Sequence, residues 1–120
     1  MTEIRNSKPK YDLEERTYLF AKRCRDYVKK LPRTISNIEY GKQLIKSSGS
    51  VASNYIEANE SLSKKDFVMR TKICRKETKE SILWLRLTEP LPSEQTEKES
   101  LIQEATELMK IFGQILENCK

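Results

Sequence analysis

Histidine is absent from this chain. Without it no Ser-His-Asp or Cys-His pair can form, and the Glu-x-x-His motif of a di-iron bundle is excluded. Glycine and cysteine occur only three times each and proline four times. No glycine-rich phosphate loop is present. The cysteines, Cys24, Cys74 and Cys119, are odd in number, far apart and never in a C-x-x-C pair. A disulfide framework and a zinc site are therefore not expected, and each cysteine reads as a small filler of an apolar position. No apolar run approaches the roughly 20 residues that span a bilayer. Residues 1–11 are polar and mixed in charge, without the apolar stretch of a secretory signal, which predicts a cytoplasmic protein. No cofactor is expected, and catalysis has little support.

What remains is a chain of 120 residues, 37% apolar and 34% charged, with a net charge of +5. That length suits one domain with its own core. Scarce glycine and proline favour long helices, and no stretch shows sustained alternation of the kind a strand needs. Residues 1–11 read as a flexible arm, and residues 12–120 as a single four-helix domain.

The apolar positions fall into four seams with steps of three and four. The first is Leu13, Thr17, Phe20, Cys24, Tyr27 and Leu31, opened near Asp12 and closed by Pro32. The second is Leu44, Ser48, Val51, Tyr55, Ala58 and Leu62, opened by a Ser36-x-x-Glu39 capping box. Gly49 lies inside it. A mid-helix glycine costs about 1 kcal/mol relative to alanine, so close approach by a neighbouring helix is expected there. The third seam is Phe67, Thr71, Cys74, Thr78, Ser81, Leu85 and Thr88, capped at Ser63, broadened by Ile73, Trp84 and Leu87, and ended by Pro90 and Pro92. The fourth is Leu101, Ala105, Leu108, Phe112, Ile115 and Cys119, capped at Ser93 or Thr96. Short connections between such segments predict an all-α, antiparallel, up-down-up-down four-helix bundle.

Charge is distributed unevenly. Residues 1–35 carry a net +5, residues 36–62 carry −1, residues 63–90 carry +4 and residues 91–120 carry −3. The third helix repeats a base every seven residues at Lys65, Lys72, Lys79 and Arg86, with Lys76 on the same side. Lys22, Arg25 and Lys29 share one face of the first helix, and Arg16, Arg23 and Lys30 follow a neighbouring line. Such lines suit phosphate backbones, where each neutralised phosphate releases counterions. They equally suit ordinary solvated helix faces. The aromatic residues fall mostly on apolar seams, so no base-stacking platform is evident.

The second helix carries a polar line beside its apolar seam: Gln43, Ser47, Ser50, Asn54, Glu57 and Ser61. It is either an exposed edge or a buried network. If buried, Asn54 and Glu57 need partners, for which Arg16 and Lys76 are candidates, with Glu77 and Glu80 as neighbours on the third helix. A carboxylate-only Mg²⁺ or Mn²⁺ site from Glu57, Glu77 and Glu80 is a weaker alternative to ion pairs and interface hydrogen bonds.

Two stretches carry a family resemblance. One is ERTYLFA at 15–21, followed by Leu31-Pro32. The other is QLIKSSGSVASNYIEA at 43–58, continued by Asp66-Phe67, Lys76-Glu77, Glu80 and Trp84-Leu85. Together they resemble the four-helix-bundle proteins encoded in intervening sequences of bacterial 23S ribosomal RNA genes, over residues 11–119. The resemblance implies an up-down bundle without assigned enzymatic activity. It also implies similarity to the pentameric accessory proteins of diversity-generating retroelements, and hence a homo-oligomer such as a ring of five. Those relatives associate with RNA or DNA and with a reverse transcriptase, which become the expected partners. Carried over by position, the family's polar residues are Arg16, Gln43, Ser50, Asn54, Glu57, Glu77 and Glu80, expected to hold helices or subunits together. The function expected overall is nucleic-acid binding; the competing expectation is a protein-interaction scaffold.

Overall fold

Four long helices follow one another with short connections: α1 (Pro9–Lys29), α2 (Ile35–Asn59), α3 (Lys64–Leu87) and α4 (Gln95–Asn118), with one 3-10 turn (Pro92–Glu94) before α4. The structure is a computed structural model and describes residues 9–120, with side chains from Leu13 onward. The N-terminal arm expected over residues 1–11 lies mostly outside the described residues. Its last three residues belong to α1, which starts at Pro9 because proline suits the first helical turn. Among the described residues there is no strand.

Cross-helix contacts set the directions. The start of α1 meets the end of α2 through Glu14 and Asn59. Ser47 meets Ser81, and Asn54 meets Arg70, so α2 and α3 are antiparallel. Arg16 reaches Glu104 and Arg23 reaches Glu97, so α1 and α4 are antiparallel too. The helices form a ring in chain order, with α2 and α3 in the most extensive contact and α1 and α4 in the least. Helix α1 is thus diagonal to α3.

The expected seams make the core. Phe20, Tyr27, Leu44, Val51, Leu85, Leu101, Leu108 and Phe112 are almost wholly buried. Each large side chain removed from water contributes about 1.5–3 kcal/mol. The hydroxyl residues in the seams are buried as well, which their chemistry permits only if the oxygen is bonded. Thr71 donates to the Phe67 carbonyl at 2.8 Å, Thr78 to Cys74 at 2.7 Å and Ser81 to Glu77 at 2.9 Å. Small, self-satisfied side chains let α2 and α3 approach, and the Ser47 and Ser81 hydroxyls meet at 2.7 Å. Cys24 and Cys74 are buried fillers, and burial pushes both thiols up to about 12.

Several local expectations are corrected. The α2 cap is Thr34, whose oxygen accepts from the Asn37 amide at 3.1 Å, rather than Ser36. The close approach expected at Gly49 is made at Gly41 instead: a Cβ at Gly41 would stand 3.0 Å from Val28, whereas one at Gly49 meets nothing within 4 Å. Asn37, in the first turn of α2, is buried. It donates to the carbonyls of Pro32 and Glu89 and accepts from the Glu89 amide, tying two connections together. Helix α2 ends at Asn59, so Leu62 leaves the seam and is 99% exposed. Leu87 at the last turn of α3 is 41% exposed. Neither Ser93 nor Thr96 caps α4; Glu94 precedes it without a side-chain cap, because the 3-10 turn begun at Pro92 runs directly into the helix.

Candidate functional site

A helix of 3.6 residues per turn returns to nearly the same face after seven residues, about 10.5 Å along the axis. Lys65, Lys72, Lys79 and Arg86 therefore form a nearly straight line on α3, and all four are exposed. Among the described residues none of them forms an ion pair. Lys76 lies beside this line and contacts Glu77 at 3.6 Å. The end of α3 is held by Lys98, whose ammonium donates to the Thr88 carbonyl at 2.8 Å and to that of Arg86 at 3.3 Å. A cation there satisfies orphan carbonyls and complements the helix dipole.

The second basic group, Lys22, Arg25 and Lys29, is also exposed. Being on the diagonal helix, it looks away from the α3 line, so the eight candidate bases do not form one surface. Arg25 holds its neighbour Asp26 at 2.9 Å, and that hydrogen bond lowers the carboxyl below its ordinary range.

The third line on α1 turns inward to α4. Arg16 grips Glu104 with two hydrogen bonds, Nε at 3.1 Å and Nη2 at 2.8 Å, and reaches Glu107 at 3.3 Å. The bond to Glu104 raises the Arg16 pKa further. Arg23 donates to Glu97 at 3.2 Å and to the Ser100 hydroxyl at 2.8 Å, and Lys30 lies 3.8 Å from Glu94. Glu97, Glu104 and Glu107 of α4, with Glu94 just before it, thus pair this one line of bases and leave Lys22, Arg25 and Lys29 untouched. Arg16 was expected near Asn54 and Glu57; it stands instead on the α4 side of α1.

The polar line on α2 is graded rather than wholly buried or exposed. Ser47 is buried, Ser50 and Asn54 are half-buried, and Gln43 and Glu57 are exposed. Asn54 donates to the Ser50 carbonyl at 2.9 Å and its hydroxyl at 3.0 Å, while accepting from Arg70 at 3.0 Å. Arg70, not Arg16 or Lys76, is the cation of this seam. Gln43, Ser50, Glu77 and Glu80 come together along a shallow cleft of about 190 Å³ between α2 and α3, with Lys46 and Trp84. Trp84 stacks on Tyr40, the ring centroids being 5.9 Å apart. Among the described residues no three carboxylates or thiols gather as metal ligands would, so the site considered for Glu57, Glu77 and Glu80 is not formed.

Periodicity within one helix did not identify Arg70, Lys98, Asn37 or the glutamates of α4 as partners. One signal was present: Arg16 and Arg23 are seven apart, and so are Glu97 and Glu104. Antiparallel helices bring such pairs together two at a time.

Comparison with known proteins agrees with this architecture. A family model described as "23S rRNA-intervening sequence protein" matches residues 10–114. Among solved structures, a protein of unknown function from the S23 ribosomal protein family of Bacteroides thetaiotaomicron VPI-5482 is similar, with a TM-score of 0.75 and 25% sequence identity. The match covers 90% of this chain and 97% of that one. No curated protein matches. No helix among the described residues is long and apolar enough to cross a membrane.

Proposed function

The chain belongs to the 23S rRNA-intervening sequence protein family, and from that premise we propose that it is a non-enzymatic module binding the backbone of RNA or DNA through the exposed face of α3. The observation that carries this reading is the line of Lys65, Lys72, Lys79 and Arg86, exposed and without ion-pair partners among the described residues. Phosphate contacts of this kind carry little sequence information, so recognition is of charge and shape. Lys22, Arg25 and Lys29 lie too far round the bundle to extend the same footprint, and they are assigned no part in it.

Fluorescence-anisotropy titration against a structured RNA at low salt tests the proposal. Binding in the micromolar range or tighter is expected, tolerant of sequence and weakened steeply by salt. No binding at micromolar protein overturns it.

One observation favours a second reading. Met69, Leu83 and Leu87 are each 41–45% exposed on the same side of α3 as the lysines. Apolar side chains among bases also suit a protein partner, with α3 acting as a scaffold. In that case Met69→Glu/Leu83→Glu loses the protein partner, and nucleic acid is not bound by the unaltered protein at all.

A further inference from the structure

Tyr40 lies on none of the apolar seams, and the fold brings it against Trp84. The two rings stack with 25° between their planes, and both are only half-buried. Tyr40 thus holds an indole that borders the α2/α3 cleft. The rest of the lining is polar, with Gln43, Lys46 and Ser50 from α2 and Glu77 and Glu80 from α3. Glu77 contacts Lys76, and Glu80 has no ion pair among the described residues. At about 190 Å³ the cleft is smaller than the roughly 300–1,000 Å³ of pockets for drug-sized molecules, so it suits one flat ring system.

The charges around the cleft are ordered. Carboxylates line it, and Lys46 stands in its wall. Lys76, exposed and 3.6 Å from Glu77, lies between the cleft and the line of Lys72 and Lys79. A nucleotide meeting this surface is turned by those charges. Its phosphate is repelled by the carboxylates and attracted by the lysines, which leaves the base towards Trp84.

We propose that the α2/α3 cleft takes a single unpaired guanine base from a strand whose phosphates lie along α3. The proposal rests on the nucleic-acid reading and adds a base preference to it. Carboxylates only accept hydrogen bonds, and an ammonium only donates them. Among the four RNA bases, guanine alone carries two adjacent N–H donors with a carbonyl acceptor beside them on its pairing edge. Glu77 and Glu80 match the donors, Lys46 matches the carbonyl, and Trp84 supplies an aromatic surface for the ring. A paired base has that edge occupied and cannot enter, so the sequence tolerance of the α3 line still holds within duplexes. On this reading Gln43, Ser50, Glu77 and Glu80 line a ligand site, where the family resemblance implied a role in holding helices or subunits.

The test uses the full chain and short single-stranded oligouridines that carry one central guanine, adenine, cytosine or uracil, at low salt. Trp84 is the only tryptophan in the chain, so its emission reports on the cleft directly, while anisotropy of a labelled oligonucleotide gives affinity. The guanine oligonucleotide is expected to bind about tenfold more tightly than the other three and to change the Trp84 emission. Glu80 is exposed, so Glu80→Gln keeps the fold. That variant is expected to lose the guanine preference while binding the other oligonucleotides at least as well, because a negative charge near phosphates is gone. A purely electrostatic role for Glu80 would instead tighten all four equally, which overturns the proposal. Equal affinity for all four oligonucleotides, or binding that leaves Trp84 emission unchanged, overturns it too, while the α3 reading stands. Failure to bind any oligonucleotide or duplex overturns both.

Discussion

Helices α1 and α3 are both basic, yet their bases meet different fates. Arg16 and Arg23 of α1 are bonded to Glu104 and Glu97 of α4, and Lys30 just after α1 pairs with Glu94 just before α4. On α3, Lys65, Lys72, Lys79 and Arg86 face solvent with no such partners among the described residues. Helix α4 makes the difference. Its edge towards α1 carries Glu97, Glu104 and Glu107, whereas its edge towards α3 carries Lys98, bonded to the end of α3, and Gly113, near Arg75. Over their own ranges α1 nets +2 (six bases against four acids) and α3 nets +5 (eight against three). Pairing with α4 widens that gap, because the exposed face is what a partner meets.

The comparison can be broken most sharply by charge reversal. Lys72→Glu/Lys79→Glu is expected to lower nucleic-acid affinity by on the order of a hundredfold at low salt, measured by anisotropy. Its stability should stay within about 0.5 kcal/mol, as for exposed sites elsewhere. The matching pair on α1, Arg16→Gln/Arg23→Gln, is expected to leave affinity nearly unchanged. Equal losses from both pairs would remove the distinction.

Next in size is the stability of the α1/α4 seam. Arg16 and Glu104 are 31% and 20% exposed, so their paired hydrogen bonds are only partly screened. Arg16→Met is expected to cost about 1 kcal/mol, read as a lower midpoint in urea. A Lys79→Met variant should not show this cost.

The smallest effect is a pH dependence confined to the same seam. The Glu107 carboxyl is held below its ordinary 4.5, first by Gln103 and then by Arg16. A lowered value means this contribution is present above about pH 4.5 and lost as the pH falls through the depressed pKa. Arg16, with its pKa raised, stays charged throughout that range. Melting curves between pH 6 and 3 should therefore show wild type losing slightly more stability than Glu107→Gln. Identical losses would mean the contact contributes nothing.

Much of the fold was legible because core positions repeat every three or four residues and self-satisfied hydroxyls can occupy them. Thr71, Thr78 and Ser81 sit where that pattern placed them. Helix ends were less legible. Thr34 and Ser36 are both good caps by composition, and the choice depends on how the connection after Pro32 turns. Leu62 fits the periodicity of α2, yet the helix stops three residues before it. Pairing between helices was legible least. The position of Arg16 on α1 leaves two neighbouring helices open to it, and only the register of α1 against α4 selects Glu104. For the candidate site, the α3 line could be read from spacing alone, while its lack of acidic partners required the whole bundle.

The salt dependence of nucleic-acid binding tests the central claim most directly. Four bases of α3 on phosphates predict a plot of log affinity against log salt with a slope of about −3 to −4. Lys72→Glu/Lys79→Glu should flatten it by about two, and Arg16→Gln/Arg23→Gln should leave it unchanged. A slope that survives the α3 reversal, or that falls equally with the α1 pair, would contradict the account.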